Sequence, residues 1–274
     1  MKIILFGSRG FLGEHFLKGM PGIVPVEGDI ADQAKVEAIC DAERPDVIIN
    51  AAGKTGRPNV DWCEDHKEET VRSNVTGPLV LLDVCQKRGI HLVHLSSGCI
   101  YAGDNVGTGF TEGDAPNFFG SFYARTKIWA EQVLCEFPVL ILRLRMPFDD
   151  SSHPRSLITK ISKYKSVLDE PNSITYLPDF VQAAKKLIEK RATGTYNLVN
   201  PGVISPYGIM ELYKKHVDPT KEFAKLSVEH LGDVVKVGRS NCMLSGKKLE
   251  GEGIVMLPVE EAVEKALTAL AQAK

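Results

Sequence analysis

Gly7-Ser8-Arg9-Gly10-Phe11-Leu12-Gly13 follows the apolar run Lys2–Phe6 and opens a helical stretch over roughly Phe11–Lys18. Glycines spaced GxxGxxG at such a junction let the backbone turn sharply and approach a pyrophosphate, which rests on the amides that open the helix. A glycine triplet alone is weak evidence, because plain turns use the same residues. Here it sits at the first strand of a chain that goes on alternating strand and helix, and that position gives it weight. All seven residues, Gly7 through Gly13, are expected to line a dinucleotide.

Downstream, Ile23–Val26 reads as a short edge strand, because Pro25 has no amide to give to a ladder. Asp32–Glu43 reads as a helix, and Val47–Asn50, after Pro45, as a buried parallel strand. A helix is expected around Glu68–Lys87, a strand at Leu92–Leu95, a long loop to Gly120, a helix near Ala124–Cys135 and a strand at Val139–Leu144. This alternation predicts the α/β class, a Rossmann-type doubly wound parallel sheet. After Pro147 the pattern breaks into polar loops and short helices. Thr195–Val199 is expected to rejoin the main sheet, and Pro258 opens a last helix with Val259, Val263, Leu267 and Leu270 on its apolar stripe. The division read from this is an NAD(P)-binding domain over 1–147, with the later strand near 195–199, and a small, discontinuous substrate-binding lobe mainly over 148–274.

A formal net charge of -2 gives no electrostatic case for nucleic acid or an anionic membrane. Apolar runs reach nowhere near the ~18 residues of a membrane span, and MKIILFGSRG is apolar too briefly for a secretory leader. The six cysteines are scattered without CxxC pairs, so neither a zinc site nor a disulfide framework is expected. The expectation is a metal-free protein of the cytoplasm.

Cofactor preference reads two ways. Arg9, between the glycines, is placed to pair with a 2′-phosphate and favours NADPH. Glu27 and Asp29 pull towards NADH, since an acid near the ribose prefers a free 2′-hydroxyl. NADPH is the expectation, with NADH as the alternative.

Tyr123 and Lys127 form YxxxK, and on a helix positions i and i+4 share a face. A free phenol titrates near 10, and an adjacent ammonium is expected to lower that value so that Tyr123 can give a proton to a carbonyl oxygen. Lys127 would also hold the nicotinamide ribose. Ser97, in the run Ser96–Tyr101 directly after a strand, stands at the sheet's carboxyl edge, where ligands bind in open α/β sheets. Arg57, Asn59 and Asp61 should share that edge. They either fix sugar hydroxyls or stabilise their own loop through Asx-type bonds. Arg239 meets either a nucleotide pyrophosphate or a surface carboxylate, and Trp62 covers either the sugar or the core.

Asn50-Ala51-Ala52-Gly53, YxxxK, GxxGxxG and Asn74 together resemble the extended short-chain dehydrogenases/reductases. More narrowly, Thr55-Gly-Arg-Pro-Asn-Val-Asp-Trp-Cys-Glu64 resembles the bifunctional nucleotide-rhamnose synthases, 3,5-epimerase/4-reductases that complete UDP-L-rhamnose. So do Pro116–Tyr123, Leu142–Pro147, Ile158–Ile161, Tyr196–Gly202 and Arg239–Asn241. The resemblance implies a nucleotide 4-keto-6-deoxyglucose as substrate. It also implies that Asp29 and Ile30 hold adenine, and that Ala51, Ala52, Gly53 and Asn74 line the cofactor. Cys99 would be the epimerisation acid/base and Lys160 its partner; without the resemblance these read as a buried structural thiol and a solvated helix face. The chemistry suits them, because a C4 ketone acidifies C3 and C5, and an ordinary thiol near 8.5 is activated beside a cation. Plant members carry Lys-Thr where Ser8-Arg9 stands, a departure that bears on cofactor preference. Possible homodimer contacts fall on the helices around Glu68–Lys87 and Ala124–Cys135. The competing readings are a reductase without epimerisation, a GDP-fucose-type epimerase-reductase, and a non-catalytic cofactor-binding regulatory subunit.

Overall fold

The computed structural model describes residues 1–233 and 235–273. Its first half repeats strand and helix: β1 (Ile3–Phe6), α1 (Phe11–Gly19), β2 (Val24–Val26), α2 (Gln33–Glu43) and β3 (Val47–Asn50). There follow α3 (Trp62–Asp65), α4 (Lys67–Val71), a π turn (Arg72–Thr76), α5 (Gly77–Arg88), β4 (His91–Ser97), α6 (Phe122–Leu134) and β5 (Leu140–Leu144). The second half holds β6 (Pro147–Phe148), α7 (Leu157–Ile161), β7 (Ser166–Leu168), β8 (Thr175–Tyr176), α8 (Leu177–Glu189), β9 (Gly194–Asn197), α9 (Pro206–His216), β10 (Ala224–Leu226), α10 (Lys247–Gly251) and α11 (Val259–Gln272).

Six strands form one parallel sheet in the order β2-β1-β3-β4-β5-β9. Residues of β1, β3 and β4 are buried throughout, and their side chains alternate between two faces. Ile3, Leu5, Val47 and Ile49 pack with Phe16 of α1 and with Phe180 and Leu187 of α8. Ile4, Phe6 and Ile48 pack on the other side with Val36 of α2 and Leu81 and Cys85 of α5. Helices on both faces are what a continuous apolar strand requires. The strand order reverses between β1 and β3, and the crevice at a sheet's switch point is where ligands bind.

A further core joins Phe148, Ile158 and Ile161 to Ile209 and Met210 of α9 and to Val263 and Leu267 of α11. Two small parallel pairs, β6 with β8 and β7 with β10, lie in this part of the chain.

Helix boundaries differ from the sequence reading at one instructive place. The stretch expected as one helix over Glu68–Lys87 carries a π turn, in which the Gly77 amide bonds the Arg72 carbonyl five residues back. Pro78 has no amide to continue the four-residue ladder, so the helix takes up an extra residue there. Among the described residues no helix is long and apolar enough to cross a membrane.

Candidate active site

The glycine loop is closed tightly around its own backbone. Gly7 has φ +79°, and a Cβ there would lie 2.5 Å from the Ala52 nitrogen. On Gly13 it would lie 2.2 Å from the Gly7 carbonyl oxygen. Neither position admits a side chain. Gly10 precedes α1 without a side-chain cap, so the amides of the first turn are left for an anion in front of them. The loop thus fits a dinucleotide pyrophosphate on its own geometry, with Ala51, Ala52 and Gly53 running alongside from the end of β3.

On the adenosine side, Arg9 and Glu27 meet each other, Nη1 to Oε1 at 3.3 Å, both largely exposed. The carboxylate of Asp29 accepts from the Ala31 amide at 2.9 Å and from Arg72 Nε at 2.8 Å. These bonds hold its pKa below the ordinary carboxylate value, the Ala31 bond most strongly. Ile30 is buried against Gly77. Asn74, in the π turn, spends its amide on protein: Oδ1 accepts from the Lys54 amide at 2.7 Å, and Nδ2 donates to the Lys54 carbonyl and Thr126 Oγ1. It pins the loop after β3 to α6.

Near the carboxyl ends of β4 and β5 the candidate reactive side chains Ser97, Tyr123, Lys127 and Cys99 converge. Ser97 closes β4, its Oγ accepting from the Cys99 amide at 3.1 Å. Tyr123 and Lys127 stand one turn apart on α6, which begins at Phe122 because Ser121 Oγ caps the Ala124 amide. Burial pushes the Tyr123 phenol above its ordinary value, the Cys99 sulfur pushes it the same way, and a hydrogen bond with Ser97 pulls it back. Burial also pulls Lys127 down to about 8, against the charges of Glu131 and Cys99. The expected lowering of Tyr123 by Lys127 is therefore corrected. Both groups lie in the protein interior, and Lys127 Nζ donates to the Leu95 carbonyl at 2.8 Å.

Lys160 of α7 is the other candidate base. Burial lowers its pKa, the charges of Arg239 and Arg155 lower it further, and Asp61 opposes them. Arg239 Nη1 binds Asp61 Oδ1 at 2.7 Å in a poorly exposed ion pair. Asn59 Oδ1 accepts from the Asp61 amide at 2.8 Å, an Asx turn that shapes the loop. Arg57 is exposed, close enough for its charge to depress Arg155. Trp62 stacks on His66 at 3.9 Å between centroids, with Lys54 Nζ over its ring. Asp61 of this loop, Lys160 of α7 and Arg239 are thus brought close to one another.

Two buried clusters were not foreseen. Arg145, directly after β5, is 1% exposed. It donates to Cys99 Sγ at 3.3 Å, to Ser240 Oγ at 2.9 Å and to Asn172 Oδ1 through Nε at 3.1 Å. Arg143 pairs with Glu131, which also accepts from Ser96 Oγ at 2.6 Å. The signal was present in Leu142-Arg-Leu-Arg-Met: arginines inside an apolar strand are buried only where they have partners.

The chain belongs to the RmlD substrate binding domain family, whose model matches residues 1–272. It is 40% identical over 276 residues to an Arabidopsis thaliana protein, the trifunctional UDP-glucose 4,6-dehydratase/UDP-4-keto-6-deoxy-D-glucose 3,5-epimerase/UDP-4-keto-L-rhamnose-reductase, with 97% of this chain and 41% of that protein aligned. It therefore spans about two fifths of that relative's length. Its identity with the bifunctional dTDP-4-dehydrorhamnose 3,5-epimerase/dTDP-4-dehydrorhamnose reductase of the same plant is 38%, covering 96% of this chain and 91% of that one. A crystal structure of the UDP-rhamnose synthase of Acanthamoeba polyphaga mimivirus superposes with a TM-score of 0.93 at 32% identity, covering 98% and 99% of the two chains.

Proposed function

We propose that this member of the family is a bifunctional 3,5-epimerase/4-reductase. It converts UDP-4-keto-6-deoxy-D-glucose, or the dTDP analogue, to the L-rhamnose nucleotide with NADPH, NADH being the weaker alternative. The observation that carries the reading is the convergence of Ser97, Tyr123 and Lys127 with Cys99 at the carboxyl ends of β4 and β5. A reductase needs the first three and has no use for a thiol there. The names of the relatives point the same way.

Gly7, Ser8, Arg9, Gly10, Phe11, Leu12 and Gly13 would hold the cofactor with Ala51, Ala52, Gly53 and Lys127, and Asp29 and Ile30 would face the adenine. The chemistry that NADPH supplies when bound is hydride at C4. Tyr123, kept protonated by burial, gives its proton to the C4 oxygen while Ser97 bonds the same oxygen. Epimerisation exchanges the protons on C3 and C5 between Cys99 and Lys160. A lowered Lys160 pKa leaves more free amine at neutral pH to accept a proton. Arg57, Asn59, Asp61 and Arg239 border this space and would orient the sugar nucleotide. Trp129 and Val133 of α6 stay 41% and 40% exposed, which supports pairing of two copies across that helix.

The test is oxidation of NADPH and NADH with UDP-4-keto-6-deoxy-D-glucose in deuterated water, followed by NMR of the product, with the dTDP sugar run in parallel. UDP-L-rhamnose carrying label at C3 and C5 supports both activities. Oxidation without label leaves a reductase alone, and no oxidation of either cofactor with either sugar overturns the proposal.

A further inference from the structure

Arg145 is a buried cation whose partners are nearly all neutral. Asn172 Oδ1, Ser240 Oγ and the Ser240 carbonyl accept from it. Among the described residues no carboxylate lies within ion-pair distance of it. Burying a guanidinium without a counter-ion is costly. The structure nevertheless holds it rigidly: the Arg145 amide donates to Thr175 Oγ1 at 3.0 Å, and Ser240 Oγ itself donates to the Tyr101 carbonyl. Asn172 Oδ1 also accepts from the Cys242 amide at 3.0 Å. One acidic group touches the guanidinium, the thiol of Cys99, at 3.3 Å from Nη1. The Cys242 thiol feels the same positive charge, but it is buried and donates to the Gly98 carbonyl.

We propose that Arg145 is the positioning residue of the epimerisation step, holding the Cys99 sulfur in place and stabilising the negative charge it carries during proton exchange. This rests on the reading of Cys99 as an epimerisation acid/base. When Cys99 gives its proton, the S–H bond breaks, a C–H bond forms at C3 or C5, and the S–H electron pair stays on sulfur facing Nη1. When Cys99 takes the proton, the same anionic sulfur is the starting state. In either direction the anion is met by a donor already in place, so no reorganisation is needed. Asn172 and the Ser240 carbonyl hold Nε and Nη2, and Nη1 divides its two hydrogens between Ser240 Oγ and the sulfur.

The decisive experiment alkylates the full chain with iodoacetamide at pH 7 and follows each cysteine by peptide mass spectrometry. Wild-type Cys99 should react faster than the more exposed Cys135, and a slower Cys99 overturns the proposal without any variant. Arg145→Met should lower the Cys99 rate about ten-fold, the loss of one hydrogen bond to a charged group, with Arg145→Lys recovering part of it. C3 and C5 label exchange should fall in parallel, while reduction of the already epimerised 4-keto-L-rhamnose nucleotide stays within about two-fold of wild type. An Arg145→Met protein that is folded and alkylates normally sinks the role of Arg145. A Cys99→Ala protein that still exchanges label sinks the underlying assignment instead.

Discussion

Arg9 Nη1 lies 3.3 Å from Glu27 Oε1, so the residue favouring a 2′-phosphate and an acid disfavouring it neutralise each other across the glycine loop. Both side chains are largely exposed, and such pairs are weak. An incoming 2′-phosphate competes with Glu27 for the same guanidinium. Glu27→Gln should therefore lower the Kd for NADPH by roughly two- to five-fold and leave that for NADH nearly unchanged. Binding followed by calorimetry measures both, and equal gains for the two cofactors would refute the competition.

Reduction and epimerisation should separate at Tyr123. The phenol is buried and protonated, one turn from Lys127, with the Ser97 hydroxyl beside it. Tyr123→Phe removes the proton and little volume, so turnover should fall by about 10²- to 10⁴-fold. Cofactor binding should hold, and deuterium should still enter C3 and C5 of recovered substrate. Loss of that label together with turnover would mean that Tyr123 serves both steps.

The sheet was legible because its strands are short apolar runs between glycine and proline signals, and because Gly7–Gly13 marks the switch point. Pro78 marks a disturbance inside the stretch Glu68–Lys87, but its form does not follow from the sequence: the π turn emerges only from the bonding of Gly77 to Arg72. The candidates Tyr123 and Lys127 came from their spacing, and Ser97 from its place at the end of a strand. Cys99 and Lys160 needed the family likeness. Arg145 escaped because its partners, Asn172 and Ser240, lie 27 and 95 positions away, and no local pattern carries contacts of that separation. The direction of the Tyr123 shift escaped for a related reason. Spacing gives the neighbour on the helix, whereas burial is decided by everything packed around it.

Lys127 should make the protein less stable at neutral pH than the same fold without it. Burial depresses its pKa from 10.5 to about 8, so between those values the unfolded chain binds more protons than the folded one. Stability then rises with pH across that window, by roughly 3 kcal/mol at most. Lys127→Met should abolish activity and yet unfold at higher urea concentration than wild type at pH 7. The difference should shrink as pH rises from about 8 to 10.5. A difference that stays constant over that range would show that the folded and unfolded chains bind this proton alike, and that burial does not depress Lys127.

A second pH dependence is expected where α1 meets the chain after β6. His15 Nε2 lies 3.3 Å from Asp149 Oδ2, its Nδ1 is 2.8 Å from the Phe11 carbonyl, and Phe11 stacks on His153 at 4.5 Å. The contact therefore ties the glycine-loop helix to the segment leading into α7. Burial pulls His15 down, yet the bonds to Asp149 and Phe11 outweigh it and hold its pKa above 6.5, with Lys18 opposing weakly. Burial pulls Asp149 up, but bonds from His15, Ser151 and Ser156 keep it below 3.8. The raised histidine contributes stability that is full below 6.5 and lost as pH rises through its folded value. The lowered aspartate contributes above 3.8 and loses it as pH falls through its own folded value. The pair is thus strongest between those limits. His15→Leu should cost roughly 1–3 kcal/mol at pH 5.5, the scale of a hydrogen bond to a charged group. The gap should narrow as pH rises through the raised folded pKa of His15, where the wild-type ring loses its charge. Urea unfolding across that range decides it: a gap that does not narrow as pH rises would mean that His15 is held in place by packing against Phe11 and not by its charge.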